Sequence, residues 1–333
     1  MDIDFVILWV DGNDPEWLKE KREYQGITEN ENTSDNRFRD WGILPYWFRS
    51  VEKFAPWVRK IHFVTWGHVP EFLNLDAPKL NIVKHEDFIP KEYLPTFSSH
   101  AIEMNIHRIT DLAEHFVYFN DDMFMLRPFQ KEDFFREGLP CTYGGEVPIS
   151  LIGNIGTWQH AAVNDLGIVN AHFPKREAVK KYGKKYRDKS YRFKDNIRTW
   201  FLEKLHPDYF TGFKNIHAPA AYLKSAFQEV WEAEPEKLDD TCRDRFRTSD
   251  NVNQWVVLWW QIGSGQFSPK VIDNLVNSVT EKTIDELCDV IENQKHQYIC
   301  LNDPEGDIDF EQLAQRIRNS FEILLSDKGP YEL

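Results

Sequence analysis

Three apolar runs in this chain end in acidic residues, and those acids are where chemistry is expected. Phe116-Val117-Tyr118-Phe119 leads into Asn120-Asp121-Asp122, and apolar residues resume at Met123. The pattern predicts a buried parallel strand whose carboxyl end delivers two acids to a crevice, the place where open α/β sheets bind ligands. An Asp-rich turn is the plain alternative, because Asn and Asp favour turns. Paired carboxylates suit a hard divalent cation, and Mg²⁺ usually bridges to substrate phosphates. The run Phe5 to Val10 repeats the design and opens into Asp11-Gly12-Asn13-Asp14-Pro15. Gly12 permits a tight turn or a close backbone approach to a ligand. Asp14-Pro15 fits an N-cap followed by proline at the first helical position. A strand, an acidic turn and a helix N-terminus make an anion-friendly corner. No Gly-x-Gly-x-x-Gly and no Walker lysine accompanies it. The third run, Tyr298 to Leu301, enters Asn302-Asp303.

The elements that must position these acids alternate. Residues 16–40 read as a helix, a charged loop and then Arg37-Phe38-Arg39-Asp40. Tyr46 to Phe54 reads as a helix stopped by Ala55-Pro56. Lys60–Thr65 and Leu80–His85 read as strands, and Ser98–Ile109 as a helix. Alternation of this kind predicts an α/β fold: a Rossmann-like, mainly parallel sheet with a helical insertion or subdomain. The 333 residues exceed what one core usually holds, about 250–300. The expected division is 1–150 as the first part of the catalytic core, 151–235 as a helical, basic insertion or subdomain, and 236–333 as the remainder. Residues 157–235 read as mostly helical, Trp255, Trp259 and Trp260 as an amphipathic core helix, and Asp309–Leu325 as a final helix.

A net charge of −14 argues against a nucleic-acid binder. Within that acidic chain, Lys175 to Arg198 carries eleven basic residues against Glu177, Asp188 and Asp195. A solvated helical face is one reading; contact with an anionic acceptor or with membrane lipid is the other. Hydrophobic content of 41% excludes disorder, and most of the 12 Trp and 24 Phe should be core. Cys141, Cys242, Cys288 and Cys300 are far apart, which favours neither a disulfide framework nor a zinc site. The first apolar run is too short for a signal peptide or a membrane span. A cytoplasmic protein is expected, working at the inner membrane face if the basic stretch meets lipid.

The residues resemble a family. Trp9-Val10-Asp11-Gly12-Asn13-Asp14-Pro15 is similar to the first conserved block of the Stealth proteins. The second block resembles the span from Arg37 through Glu52–Val58 and Pro95–Glu103 to Phe119-Asn120-Asp121-Asp122-Met123-Phe124. His217-Ala218-Pro219 with Phe246–Asp250 resembles the third, and Ile299–Asp303 the fourth. The sequence departs from the family where Ala220 follows Pro219 and where Asn251 lies two residues beyond Ser249. The resemblance implies a sugar-phosphate transferase of capsular or cell-surface polysaccharide synthesis. A UDP-sugar, with an N-acetylhexosamine as the sugar, would donate sugar-1-phosphate to a carbohydrate hydroxyl, polymeric or lipid-linked, and release UMP. It also implies functional positions at Asp11, Glu103, Asp122, His217 and Arg247.

Phosphoryl transfer needs charge neutralisation, an in-line nucleophile and a place for its proton. Asp11, Asp121 and Asp122, with Asp303 as an outlying candidate, are expected to hold Mg²⁺ or Mn²⁺ on the diphosphate. Arg247 can grip phosphoryl oxygens with its fork. His217 can bind phosphate or move a proton, and Glu103 or Asp122 can take the acceptor proton. Asp11, Gly12, Arg37, Arg39 and Lys224 make up the expected substrate-binding set. Two competing functions remain: a metal-dependent glycosyltransferase that releases UDP, and a non-catalytic carbohydrate-binding protein.

Overall fold

The computed structural model describes all residues except 26–39, 152, 154, 215 and 305–307. Strand β1 (Ile3–Leu8) is buried at five of its six positions, as a strand covered on both faces must be. Helix α1 (Pro15–Gln25) follows. In α2 (Leu44–Phe54), Leu44, Trp47, Phe48, Val51 and Phe54 recur at helical spacing and are buried. Trp47 meets Phe119 edge-on at 5.3 Å, which fixes the helix against the sheet. Next come β2 (Ile61–Thr65), β3 (Leu80–Lys84), α3 (His85–Phe88), α4 (Ser99–Asn105) and β4 (His115–Phe119). Short strands follow: β5 (Met123–Met125), β6 (Phe135–Arg136) and β7 (Leu139–Thr142). Then come α5 (Thr157–His172), α6 (Lys175–Tyr186), α7 (Phe193–Leu205) and β8 (Ala220–Leu223). The chain goes on through α8 (Lys224–Ala233), α9 (Pro235–Arg243), α10 (Trp255–Gly263), β9 (Ser268–Pro269) and β10 (Asn274–Ser278). It ends with α11 (Ile284–Glu292), β11 (Tyr298–Asn302) and α12 (Phe310–Leu324).

The main sheet has the order β3-β2-β1-β4-β8. Its first four strands are parallel, and β8 adds to the edge in antiparallel sense. The fold is therefore α/β with a mainly parallel sheet, as the alternation predicts. The winding reverses between β1 and β4, and the crevice at such a switch point is where open sheets bind ligands. The register pairs Ile7 with Phe119, so the Asp11 turn and the Asp121–Asp122 turn leave the sheet side by side. A second sheet, β10-β11-β5, pairs Cys300 with Met123. Because β5 begins directly after Asp122, this pairing brings the end of β11 to the same turn.

Three features differ from the sequence reading. The span expected to be helical contains β8, whose four residues join the sheet edge; such a short run carries too little periodicity to be seen alone. Helix α10 is buried on every side rather than amphipathic, because α5, α8 and β8 all pack around it. Strand β10 and helix α11 lie where no element is expected. The four cysteines are free and buried.

Candidate active site

The turn after β1 is ordered by its own acids. Asp14 Oδ1 accepts from the Glu16 and Trp17 amides at 3.0 and 2.8 Å, the N-cap geometry expected of it. Asp11 Oδ1 accepts from the Asn13 amide at 2.8 Å, and the Asp11 amide donates to His68 Nε2 at 2.8 Å. Gly12 lies in this turn, half-buried. His68 was not a sequence candidate, because no motif marks it; its packing against Trp9 and Trp66 supplies the contact. Burial lowers its pKa, against the charges of Asp14 and Asp11.

At the end of β4, the Met123 amide donates to the Asn120 carbonyl at 3.2 Å and closes a tight turn. Asp121 is exposed, with protein close around its carboxylate. That surrounding protein, then the charge of Asp122, pushes its pKa up to about 7. Asp122 is half-buried and held at two points. Its carbonyl accepts from the Leu301 amide at 3.0 Å. Its Oδ2 lies 3.4 Å from His217 Nε2. Its Oδ1 is buried without a hydrogen-bond partner. His217 arrives here because β8, which starts three residues later, runs antiparallel to β4 with Ala220 opposite Tyr118. Asn274 Nδ2 fixes the His217 carbonyl at 3.2 Å.

Cys300 completes the cluster. Ligand atoms of Asp122, His217 and Cys300 all lie within 4.8 Å of one another, the only such trio of His, Cys or acidic residues among the described residues. Asp11 and Asp121 are not in it, although they were expected to join Asp122 on one cation. Both acids lie in the turn between β4 and β5, outside either strand, and of the two only Asp122 has a ligand atom close to those of His217 and Cys300. Cys300 was missed because sequence spacing hides it; only the β5–β11 pairing brings it to Asp122. Asp303 follows β11, half-buried.

Glu103 belongs to a second cluster. It is buried on α4 and accepts from Ser99 Oγ at 2.9 Å, Tyr118 Oη at 3.3 Å and the Gln254 amide at 3.1 Å. Burial raises its pKa, while the Arg247 charge and these donors pull it back. Arg247 Nη2 donates to Ser99 Oγ at 2.6 Å. Burial lowers the Arg247 pKa against the charge of Glu103, and the guanidinium remains a cation. Tyr118 on β4 ties this cluster to the strand that carries Asp121 and Asp122.

The remaining candidates separate. Lys224 starts α8 beside the amino end of β4, where its Nζ reaches the Leu112 carbonyl at 3.4 Å. The structure thus puts Lys224 a strand's length from the acids, because antiparallel β8 carries the chain away from them. Arg37 and Arg39 lie outside the described residues. Of the eleven basic residues from Lys175 to Arg198, five make ion pairs or side-chain hydrogen bonds with other described residues, and Lys181 Nζ lies over the Tyr182 ring. Lys175 pairs with buried Glu146 at 2.7 Å. Arg176 pairs with Asp208, Arg187 with Glu203 and Arg198 with Asp195. Lys185 donates to the Gly265 and Phe267 carbonyls.

Comparison with known proteins gives consistent matches. Residues 1–29 match the family model of Stealth protein conserved region 1, and residues 37–141 that of conserved region 2. The chain is 36% identical over 335 residues to the capsular polysaccharide phosphotransferase WcwK of Streptococcus pneumoniae, covering 99% of each chain. It is 38% identical over 343 residues to the receptor polysaccharide phosphotransferase WefC of Streptococcus gordonii, again covering 99% of each. Among solved structures, that of the galactosyltransferase LgtC with donor and acceptor sugar analogues matches with a TM-score of 0.39 and 10% identity over 95% of each chain. That is too little shared geometry to argue from.

Proposed function

The chain belongs to the Stealth protein family, and from that membership we propose that it transfers sugar-1-phosphate from a UDP-sugar to a sugar hydroxyl in capsular or cell-surface polysaccharide synthesis. The acceptor oxygen attacks the phosphorus that bears the sugar, the bridging bond to the nucleoside phosphate breaks, and UMP leaves. The observation that carries this reading is the Asp122 carboxylate at the switch-point crevice. One of its oxygens faces His217, and the other is buried with no hydrogen-bond partner.

His217 Nε2 is taken by Asp122, which leaves Nδ1 to accept the proton of the acceptor hydroxyl. Asp122 holds the ring and stabilises the imidazolium that forms. Glu103 is better suited to orienting than to proton transfer, because its oxygens already accept three hydrogen bonds. Through Ser99 it aims Arg247, whose fork matches phosphoryl oxygens and neutralises charge in the transition state. Asp11, with its Oδ1 held by the Asn13 amide, and Gly12 flank the donor across the crevice. The unpartnered Asp122 Oδ1 fits a divalent cation, Mg²⁺ or Mn²⁺, with His217 and Cys300 beside it. Such an ion, when bound, neutralises the diphosphate and the leaving UMP.

The test is the nucleotide product. Incubation with UDP-N-acetylglucosamine, a hexose acceptor and Mg²⁺ should yield UMP and a phosphodiester-linked product. Release of UDP would instead mean transfer of the sugar alone.

A further inference from the structure

Helix α7 turns its polar side inward and its apolar side outward. Thr199 is buried, and its Oγ accepts the Glu146 amide at 3.1 Å. Arg198 Nε donates to the Glu146 carbonyl at 2.9 Å. On the opposite side Phe193, Ile197, Trp200, Phe201 and Leu205 are all exposed, Phe193 at 80% and Leu205 at 67%. Their spacing of four, seven, eight and twelve residues from Phe193 puts them on one helix face. Single exposed apolar residues are ordinary, but a contiguous ridge with three aromatic rings marks an interaction surface.

Charge indicates what covers it. Residues 175–205 hold twelve Lys or Arg against four Asp or Glu, in a chain with a net charge of −14. Lys189, Arg192, Lys194 and Lys204 are exposed around the ridge. A groove of about 330 Å³ is lined by Arg187, Phe193, Asn196, Ile197 and Trp200, so apolar and cationic groups meet in one place. A basic, aromatic-rich helix of this kind lies in a membrane interface with its apolar face toward the acyl chains. A second copy of the chain would set two surfaces of like charge against each other.

We propose that α7 docks the protein on an anionic lipid bilayer, with Phe193, Ile197, Trp200, Phe201 and Leu205 at the headgroup boundary and the surrounding lysines and arginines on lipid phosphates. Among the described residues no helix is long and apolar enough to cross a membrane, and α7 carries its exposed apolar residues on one face, which suits a contact in the plane of the interface. It also has a fixed geometry. Glu146, held by α7, accepts at its carboxylate from Lys175 on α6 and from the Thr211 amide, six residues before His217. The inference does not rest on the reaction proposed above.

The experiment is flotation of the full chain with vesicles of phosphatidylcholine alone and of phosphatidylcholine and phosphatidylglycerol in equal parts. The protein should float with the anionic vesicles only, and added salt should release it. The pair Trp200→Ser and Phe201→Ser, and separately Lys189→Gln, Arg192→Gln and Lys194→Gln together, should each weaken binding by about tenfold or more. Both variants should melt like the parent and keep its turnover on a soluble monosaccharide acceptor. Equal flotation with both vesicle types, or unchanged flotation of both variants, would overturn the proposal. So would a parent that ignores vesicles but forms a dimer abolished by the Trp200 and Phe201 changes; the ridge would then be a self-association surface.

Discussion

Arg247 reaches Glu103 through the hydroxyl of Ser99: Nη2 donates to Oγ at 2.6 Å, and Oγ donates on to Glu103 Oε1 at 2.9 Å. The relay links a buried carboxylate on α4 to a guanidinium in the loop before α10, residues far apart in the sequence. A rigid fork aimed by a buried charge is an arrangement for gripping phosphoryl oxygens.

Arg247→Ala should therefore lower turnover by ~10²–10³ in protein that is still folded at the assay temperature. Ser99→Ala should act in the same direction with a smaller effect. Glu103→Gln and Ser99→Ala combined should cost less than the sum of the two, because both act on the orientation of Arg247. Steady-state rates with parallel melting curves check this. Near wild-type turnover in Arg247→Ala would remove it from the site.

Asp122→Asn and His217→Ala should each reduce turnover by about 10²–10⁴, the usual worth of positioned acid–base groups. The double variant should be little worse than the poorer single one, since the pair acts as a unit. Rates that fall multiplicatively would mean the two residues act separately.

Chelation should abolish turnover, and Mg²⁺ or Mn²⁺ should restore it. Cys300→Ser distinguishes the kind of ion. A hard cation held by oxygens tolerates the loss of sulfur, whereas a softer one relies on the thiolate. Retained Mg²⁺-dependent activity in Cys300→Ser is the expected outcome. Full activity in chelator after metal stripping would leave Arg247 and His217 as the neutralising groups.

Lys175 and Glu146 form an ion pair buried on both sides, with the Lys175 Nζ also donating to the Leu202 carbonyl. Lys175→Met strands a buried carboxylate and should cost about 3–5 kcal/mol in urea unfolding. Adding Glu146→Gln should recover part of that loss. A destabilisation below about 1 kcal/mol, the range of surface pairs, would show that the pair is solvated.

Two buried histidines make the fold acid-sensitive. Burial, and then the charge of His68, lowers His85 from an ordinary 6.5 to about 3, and burial lowers His107 to about 4. Below pH 6.5 the unfolded chain takes up these protons while the folded one does not. Their contribution is thus complete above 6.5 and is lost as pH falls toward those values. At pH 5 each shift is worth at most about 2 kcal/mol. Unfolding free energies at pH 7 and pH 5 should differ less in His85→Gln than in the parent. An unchanged difference would show that His85 is not protected from protonation.

The sequence by itself determined the α/β class, the strands β1, β2, β3, β4 and β11, and the acid-tipped turns at Asp11 and Asp121–Asp122. These follow from local patterns, apolar runs that stop at acids and turn residues, and such patterns survive without tertiary context. The family was legible for the same reason, since its blocks are contiguous runs. Tertiary structure decided which residues meet. Antiparallel β8 brings His217 to Asp122 and carries Lys224 to the far end of the sheet, and four residues at a sheet edge cannot announce that direction. The pairing of β5 with β11 brings Cys300 into the cluster, a contact between positions 178 residues apart. The outward apolar face of α7 was also hidden. A helical stripe read from sequence looks like core until the inward contacts of Thr199 and Arg198 show which side faces the protein.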